Sequence, residues 1–493
     1  MRGNWKKYLG ILAPLAAVVA APMVMRETGA EGARATEVRL EVITPHTETI
    51  RREFGEAFAE HWEEKTGESV YVNWRVPGGT SEIKRVLDGA YEAAAGIGKE
   101  GIGIDVFFGG GAFDFIAQAK LGRFETLRIF ETQPELFGKG GIPAMVSGEP
   151  YYDAGHLWVG AVLSSFGICY NVDLVAGRGL EPPSRWDDLG DPGYARGIAL
   201  ADTTKSASVT KSFEMLVQQK IQEELAAAEE PEAHEVVVAR GWDKSMRLIQ
   251  RIGANSRYFT DSSAKIPRDV AQGDAVAGMC IDFYGRTFSE GLKKADGTSR
   301  LQFLTPTGGS SISVDPVAVL KGAPHPELAQ AFVEFVLSRE GQMLWAAAPG
   351  TEMGPKYRAL RRLPIRPDLY EGETLAAMVD GAAMPYEKAE KFTYDPSLTG
   401  HLFTPLRNIV RVMCIDAHEE MKEAWAALIA ADFPPEATAK FHDVSAVAYE
   451  KAGGTIKSTL KGSKVDAIRM LGDLAGSFRA NYKEARRLAR KGR

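Results

Sequence analysis

The chain has 493 residues, is 45% hydrophobic and 25% charged, and sets 59 Lys+Arg against 65 Asp+Glu for a net charge of -6. These values exclude intrinsic disorder, collagen-like repeats and a polytopic membrane protein, and at roughly 100–200 residues per domain the length predicts about three folding units. An acidic excess offers no general basic field, so no nucleic-acid partner is expected. The three cysteines, Cys169, Cys280 and Cys414, are far apart and odd in number. They read as buried, unpaired thiols and not as a disulfide framework or a zinc site.

In chain order, Arg2, Lys6 and Lys7 precede an uncharged run from Tyr8 to Met25 that ends in small residues. That pattern predicts an export signal within residues 1–35, with an uncleaved membrane anchor as the alternative, and places the mature protein outside the cytoplasm. Val38, Leu40 and Val42 alternate with Arg39 and Glu41, a half-buried strand. Apolar residues from Ile50 to Trp62 recur at helical spacing, and Gly67 stands where a left-handed cap belongs. Val70–Val76 alternates again, and Ile104–Phe108 is apolar almost throughout, as in a buried parallel strand, before Gly109-Gly110-Gly111 and a helix over Phe113–Leu121. Val159–Tyr170 reads as strand-rich, Ser184 and Asp187 as a capping box, and Gly197–Ala201 as a strand that runs into Asp202-Thr203-Thr204-Lys205-Ser206. The acidic Gln222–Glu235 piece reads as a solvated helical insertion. Ala275–Ile281 is a further strand, ending in Asp282-Phe283-Tyr284-Gly285-Arg286, and two helices follow across Ala329–Trp345. Beyond about Tyr370 the strands stop. Thr404-Pro405 reads as an N-cap and first helical residue, with Leu406, Ile409, Val410, Met413, Ala417, Met421, Trp425 and Leu428 on one face. The basic end, Arg479–Arg493, reads as a solvated terminus.

Alternating strands and helices predict an α/β fold with two lobes. The expected divisions are a first lobe over 36–165, a second over 166–282, a return to the first over 283–370, and a helical extension over 371–493. No HExxH, P-loop, GxSxG or CxxC occurs. His156 with Cys169 is the only pair offering a nucleophile and base, and Cys169 lies in an apolar strand, so no enzyme is expected. What recurs instead is a strand ending in a polar or glycine-rich loop before a helix. The members are Thr44, His46 and Thr47; Gly109, Gly110 and Gly111; Ser165; Asp202, Thr203 and Thr204; and Asp282 and Tyr284. Free amides, hydroxyls and positive helix ends suit such loops to binding an anion or carboxylate without a reaction.

At these residues the chain resembles the extracellular solute-binding proteins of ABC importers, in the group that holds ferric-ion, thiamine and 2-aminoethylphosphonate binders. The resemblance rests on Leu40–His46, Phe58–Gly67, Ile104–Phe108, Leu121–Phe124, Gly167–Asn171, Trp186–Leu189, Val270–Ala275 and Ala329–Leu344, in order over residues 38–360. It implies the type II periplasmic binding fold, two α/β lobes joined by crossing strands that close on a solute, and delivery to a membrane permease. Ferric binders of the group use a His after the first strand, a Glu after the Asp-Val-Phe strand and an adjacent Tyr pair. Here His46 and Tyr284 match, but the second tyrosine position holds Phe283 and the Glu region is Gly109–Gly111. The resemblance therefore favours a small anionic or zwitterionic solute, with Asp282 for an amine and Arg286 for an anion. It keeps Fe(III) on His46 and Tyr284 as an alternative cargo and expects no resident cofactor. A ligand sensor that touches a membrane receptor through the extension is a further alternative.

Overall fold

The computed structural model describes residues 38–491 except Glu230 and Glu390, so the expected export signal lies outside the described residues. Among the described residues thirteen strands form: β1 (Val38–Ile43), β2 (Val70–Arg75), β3 (Val106–Phe108), β4 (Met145–Val146), β5 (Glu149–Pro150), β6 (Val159–Ser164), β7 (Phe166–Asn171), β8 (Ile198–Ala201), β9 (Ser256–Thr260), β10 (Ala277–Ile281), β11 (Leu301–Leu304), β12 (Ser313–Val319) and β13 (Leu363–Pro364). One sheet has the order β13-β6-β12-β3-β1-β2, a second has β11-β7-β10-β8-β9, and β4 with β5 makes a small hairpin. Each large sheet carries its own lobe, the two-lobed α/β architecture expected. Among the described residues no helix is long and apolar enough to cross a membrane.

Local sequence explains the first lobe. β1 buries Leu40, Val42 and Ile43 and pairs parallel with β2 and with the fully buried β3. The Glu48–Thr66 helix between β1 and β2 ends on Gly67 at φ 76, whose amide donates to Glu63 O at 2.8 Å. Trp158, Trp186 and Trp345 are fully buried anchors, whereas Trp62 is only partly covered. At Ser184 the expected cap is supplied by Asp188, not Asp187: its Oδ2 accepts the amides of Ser184 and Arg185 at 2.6 and 2.9 Å. The turn there is a short 3-10 helix, Trp186–Gly190, in which Asp188 is the residue facing back.

The chain crosses between lobes three times. β6 passes into β7 through Ser165 alone. The return comes later than expected: β11 pairs antiparallel with β7, so residues 283–304 stay with the second sheet and the crossing falls in 305–312 instead of at 282/283. The polar run Lys293–Arg300 is the turn that lets β11 double back onto the edge of that sheet. A third crossing lies near residue 390, where Ala389 packs in the first-lobe core and Phe392 in the second.

From Phe392 onward the extension is part of the second lobe's core. Its helix starts at Phe403, two residues earlier than the sequence suggests, because a proline is tolerated within the first turn. The helix continues through a π-turn, Arg411–Ile415, into His418–Ala430, and the whole expected stripe from Leu406 to Leu428 is buried. It packs on the Ala207–Ala227 and His234–Asn255 helices in one cluster with Phe213, Trp242, Ile249, Phe478 and Tyr482. Both buried indoles in this interface are paired: Trp425 Nε1 donates to Asn255 Oδ1 at 2.8 Å and Trp242 Nε1 to Val447 O at 2.9 Å. The supposed insertion is the end of one helix at Ala227 and the start of the next at His234; it is half-buried from Gln222 to Leu225 and exposed at Ala226, Ala227 and Pro231–Glu235, so its solvated character holds although it is not a separate helix. The basic end forms the outer part of the Lys464–Lys491 helix, with Arg486 paired to Glu423 and Arg487 to Glu484.

Candidate functional site

The loops that follow β1, β3, β8 and β10, together with the β6–β7 crossing, face the space between the two sheets, because parallel strands bring their carboxyl ends to one side. The sequence-derived residues separate there into two groups.

The first group lies beside the crossings. Thr44 is fully buried, and its Oγ1 accepts the His46 amide at 3.0 Å, which turns the His46 ring inward. That ring lies against Phe108 and Trp345, with centroids at 4.7 and 5.7 Å. A Cβ on Gly109, which adopts φ 88, would stand 2.3 Å from His46 Nε2, so glycine is required where the two loops touch. Burial first, then the charges of Arg362 and Arg51, hold the His46 pKa well below its usual value, so the imidazole is neutral. Its Nε2 is buried without a partner.

Arg362, which sequence reasoning missed, is the centre of this group. Its side chain is 0% exposed, Nη1 lies 2.7 Å from Asp315 Oδ2 without the alignment of a hydrogen bond, and Nη2 donates to Ser164 Oγ at 2.5 Å. Ser164 Oγ in turn donates to Asp315 Oδ1 at 2.9 Å. The guanidinium sits over Phe283 of the second lobe at 4.5 Å and over Trp345 of the first at 5.4 Å, while its Nε has no acceptor. Tyr284 lies tilted against Phe283, with centroids 4.1 Å apart. Burial raises its phenol pKa and Arg362 opposes that rise. The only sequence signal for Arg362 was a charged pair, Arg361-Arg362, placed directly before an apolar strand.

The second group surrounds the helix starts at Thr80, Ala112 and Ala207. Gly110, at φ 108, packs so closely on Thr80 that a Cβ would lie 2.6 Å from its Cγ2. Gly111 is the N-cap of the Ala112–Lys120 helix and Thr47 that of the Glu48–Thr66 helix, both without a side-chain cap bond. Asp202 Oδ1 accepts the amide and hydroxyl of Thr204, at 2.8 and 2.7 Å, and so shapes its own loop. Thr203 is buried, and its hydroxyl donates to Arg407 O at 2.8 Å. Arg407 belongs to the extension and was also missed. No local sequence feature ties it to Thr203.

Asp282 and Arg286 meet each other. Arg286 Nη2 donates to Asp282 Oδ2 at 2.7 Å, Phe283 N donates to Oδ1 at 2.8 Å, and the Asp282 amide donates to Ser165 O at 2.9 Å. Both charges are thereby engaged within the protein. Among the described residues no group of three His, Cys, Asp or Glu side chains is placed to hold a metal ion. His156 and Cys169 do not form a catalytic pair: His156 stacks on Phe130 at 4.1 Å in the first lobe, whereas Cys169 is buried in the second-lobe core.

Comparison with known proteins agrees with this architecture. The phosphoglycerate transport regulatory protein PgtC of Salmonella typhimurium is 26% identical over 219 residues, 43% of this chain and 48% of that protein. An uncharacterized Haemophilus influenzae protein is 26% identical over 244 residues, covering 49% and 60% of the two chains. This chain thus spans about half the length of the first of these relatives. A crystal structure of an ABC transporter substrate-binding protein from Agrobacterium tumefaciens superposes with a TM-score of 0.51 at 15% identity, covering 77% of this chain and 96% of that one, a likeness of fold. Residues 103–358, from before β3 to the approach of Arg362, match the bacterial extracellular solute-binding protein family, and the chain belongs to that family.

Proposed function

We propose that this protein is the extracytoplasmic solute-binding component of an ABC importer and captures a small anionic or zwitterionic solute between its lobes for delivery to a membrane permease. One observation carries the choice of an anion: a fully buried guanidinium, Arg362, keeps an unsatisfied Nε donor between the lobes, beside a neutral His46. An unpaired buried donor is costly, and an incoming carboxylate or phosphoryl oxygen would supply the missing acceptor. Asp315 already offsets part of the charge, so the site suits an ion of low charge. Tyr284, carried by the second lobe, already packs against the first-lobe core beside Phe283 and would flank the solute. Asp282 is held by Arg286, so an amine on the solute would need a different partner from the one the sequence suggested. The relative named for phosphoglycerate transport is in keeping with an anionic cargo. Fe(III) is the weaker reading, because His46 and Tyr284 share the field of Arg362, which repels a trivalent cation.

Native mass spectrometry of the protein from Ala35 onward, purified without chelator, tests the proposal. The expected result is an organic anion that dissociates in an Arg362→Met variant. An iron adduct that survives this substitution would overturn the reading.

A further inference from the structure

The extension reaches across to the first lobe. Phe403, in its first turn, lies ring to ring with Phe113 of the Ala112–Lys120 helix, centroids 4.7 Å apart. One turn later Arg407 Nη2 donates to Ser81 Oγ, at the start of the Thr80–Gly96 helix, at 2.5 Å. The same guanidinium is anchored on the second lobe, where Nε donates to Thr203 O at 2.8 Å and Nη2 to Thr204 O at 3.0 Å. Thr203 Oγ1 completes the anchor by donating to Arg407 O. The two lobes also touch beside this point, since a Cβ on Gly79 would stand 3.3 Å from Lys205 O.

The two sides of this contact differ in kind. Towards the second lobe, Arg407 has three hydrogen bonds, and its helix shares that lobe's core, so the extension and the second lobe move as one body. Towards the first lobe there is one charge-assisted hydrogen bond and one aromatic pair, on residues that are not core, Phe113 being 39% exposed, together with the attraction of the Asp114 and Glu82 carboxylates. We propose that Arg407 and Phe403 form a clasp between the lobes that needs no solute, so that the extension sets how often the cleft opens. A typical two-lobe binding protein would rely on its solute for that closure energy. Here part of it is built into the chain, and solute entry waits on breaking the Ser81 and Phe113 contacts. The clasp does not depend on which solute the cleft takes.

The test uses the full chain without solute. Spin labels on Glu92→Cys in the first lobe and Lys294→Cys in the second report the interlobe distance, and the native cysteines, being buried, escape labelling. Ser81→Ala with Phe113→Ala removes the hydrogen bond and the ring contact from the first-lobe side, where neither residue supports the core, and leaves the Asp114 and Glu82 charges in place. Arg407→Gln removes it from the other side. A charge-assisted hydrogen bond together with an aromatic pair predicts a rise of roughly tenfold or more in the open-to-closed ratio in both cases. Circular dichroism and the melting profile should remain those of the parent in the first-lobe double variant. Unchanged distance distributions in both would overturn the clasp. So would opening in Arg407→Gln alone, since that would confine Arg407 to shaping the second lobe.

Discussion

Arg362 offers the sharpest test of how the centre of the molecule is held. Replacing it with Met keeps the length and apolar stem of the side chain but removes its charge from Asp315 and its donor from Ser164. A surface pair broken in this way costs about 0–1 kcal/mol, whereas removal of one partner of a buried pair costs about 3–5 kcal/mol, because the remaining charge is stranded. Here the Arg362 side chain is 0% exposed and that of Asp315 14% exposed, and Asp315 retains the Ser164 hydrogen bond. The low end, about 3 kcal/mol, is therefore expected for the first-lobe transition. Urea unfolding followed by tryptophan fluorescence reads it directly, since Trp345 lies beneath the guanidinium. Adding Asp315→Leu removes the stranded carboxylate and should restore most of the loss, while solute binding stays abolished in both variants. A cost below about 1 kcal/mol for the single variant, or a double variant no more stable than the single, would refute a desolvated, compensated pair.

Gly109→Ala should lose solute binding and cost at least the roughly 1–2 kcal/mol of a left-handed residue, since its Cβ would also collide with His46; a variant with parental stability and binding would contradict the close contact. His418 and His442, in the extension, are both lowered to about 4, chiefly by burial. The unfolded chain then binds more protons than the native one below about pH 6.5, so the second lobe should lose stability as pH falls from there towards 4, by up to about 3 kcal/mol per histidine. Parallel pH titrations of His442→Gln should show a shallower loss, and a flat parent profile over that range would contradict the burial. Cys169, Cys280 and Cys414 should resist a thiol reagent in the native protein and react together on unfolding; rapid native labelling of any one would show it to be accessible. Truncation before Phe403 should leave the second lobe aggregating, because it uncovers the surface on which Leu406, Ile409, Val410, Met413, Trp425 and Tyr482 pack. A well-folded product with a cooperative transition would show that the core does not depend on the extension.

Much of the fold is legible in the sequence because it depends on local periodicity. The alternation in Val38–Val42, the stripe from Ile50 to Trp62 closed by Gly67, and the unbroken Val106–Phe108 run each state their element and their buried face, and the order of strands and helices states the α/β class. The loops after those strands could be found for the same reason, since parallel strands end on one side. Their partners could not. Arg362 joins Ser164 and Asp315 only once three separated segments meet, and Asp282 is occupied by Arg286 through a geometry that spacing permits but does not require. The return crossing was misplaced because Leu301–Leu304 reads equally well as an edge strand of either sheet, and only pairing with β7 chooses. The extension shows the limit most clearly. Its amphipathic stripe announces a helix that must bury one face, but which surface it covers, and that Phe403 and Arg407 then reach the opposite lobe, follows from shape complementarity between distant segments, which hydrophobic spacing along one chain does not encode.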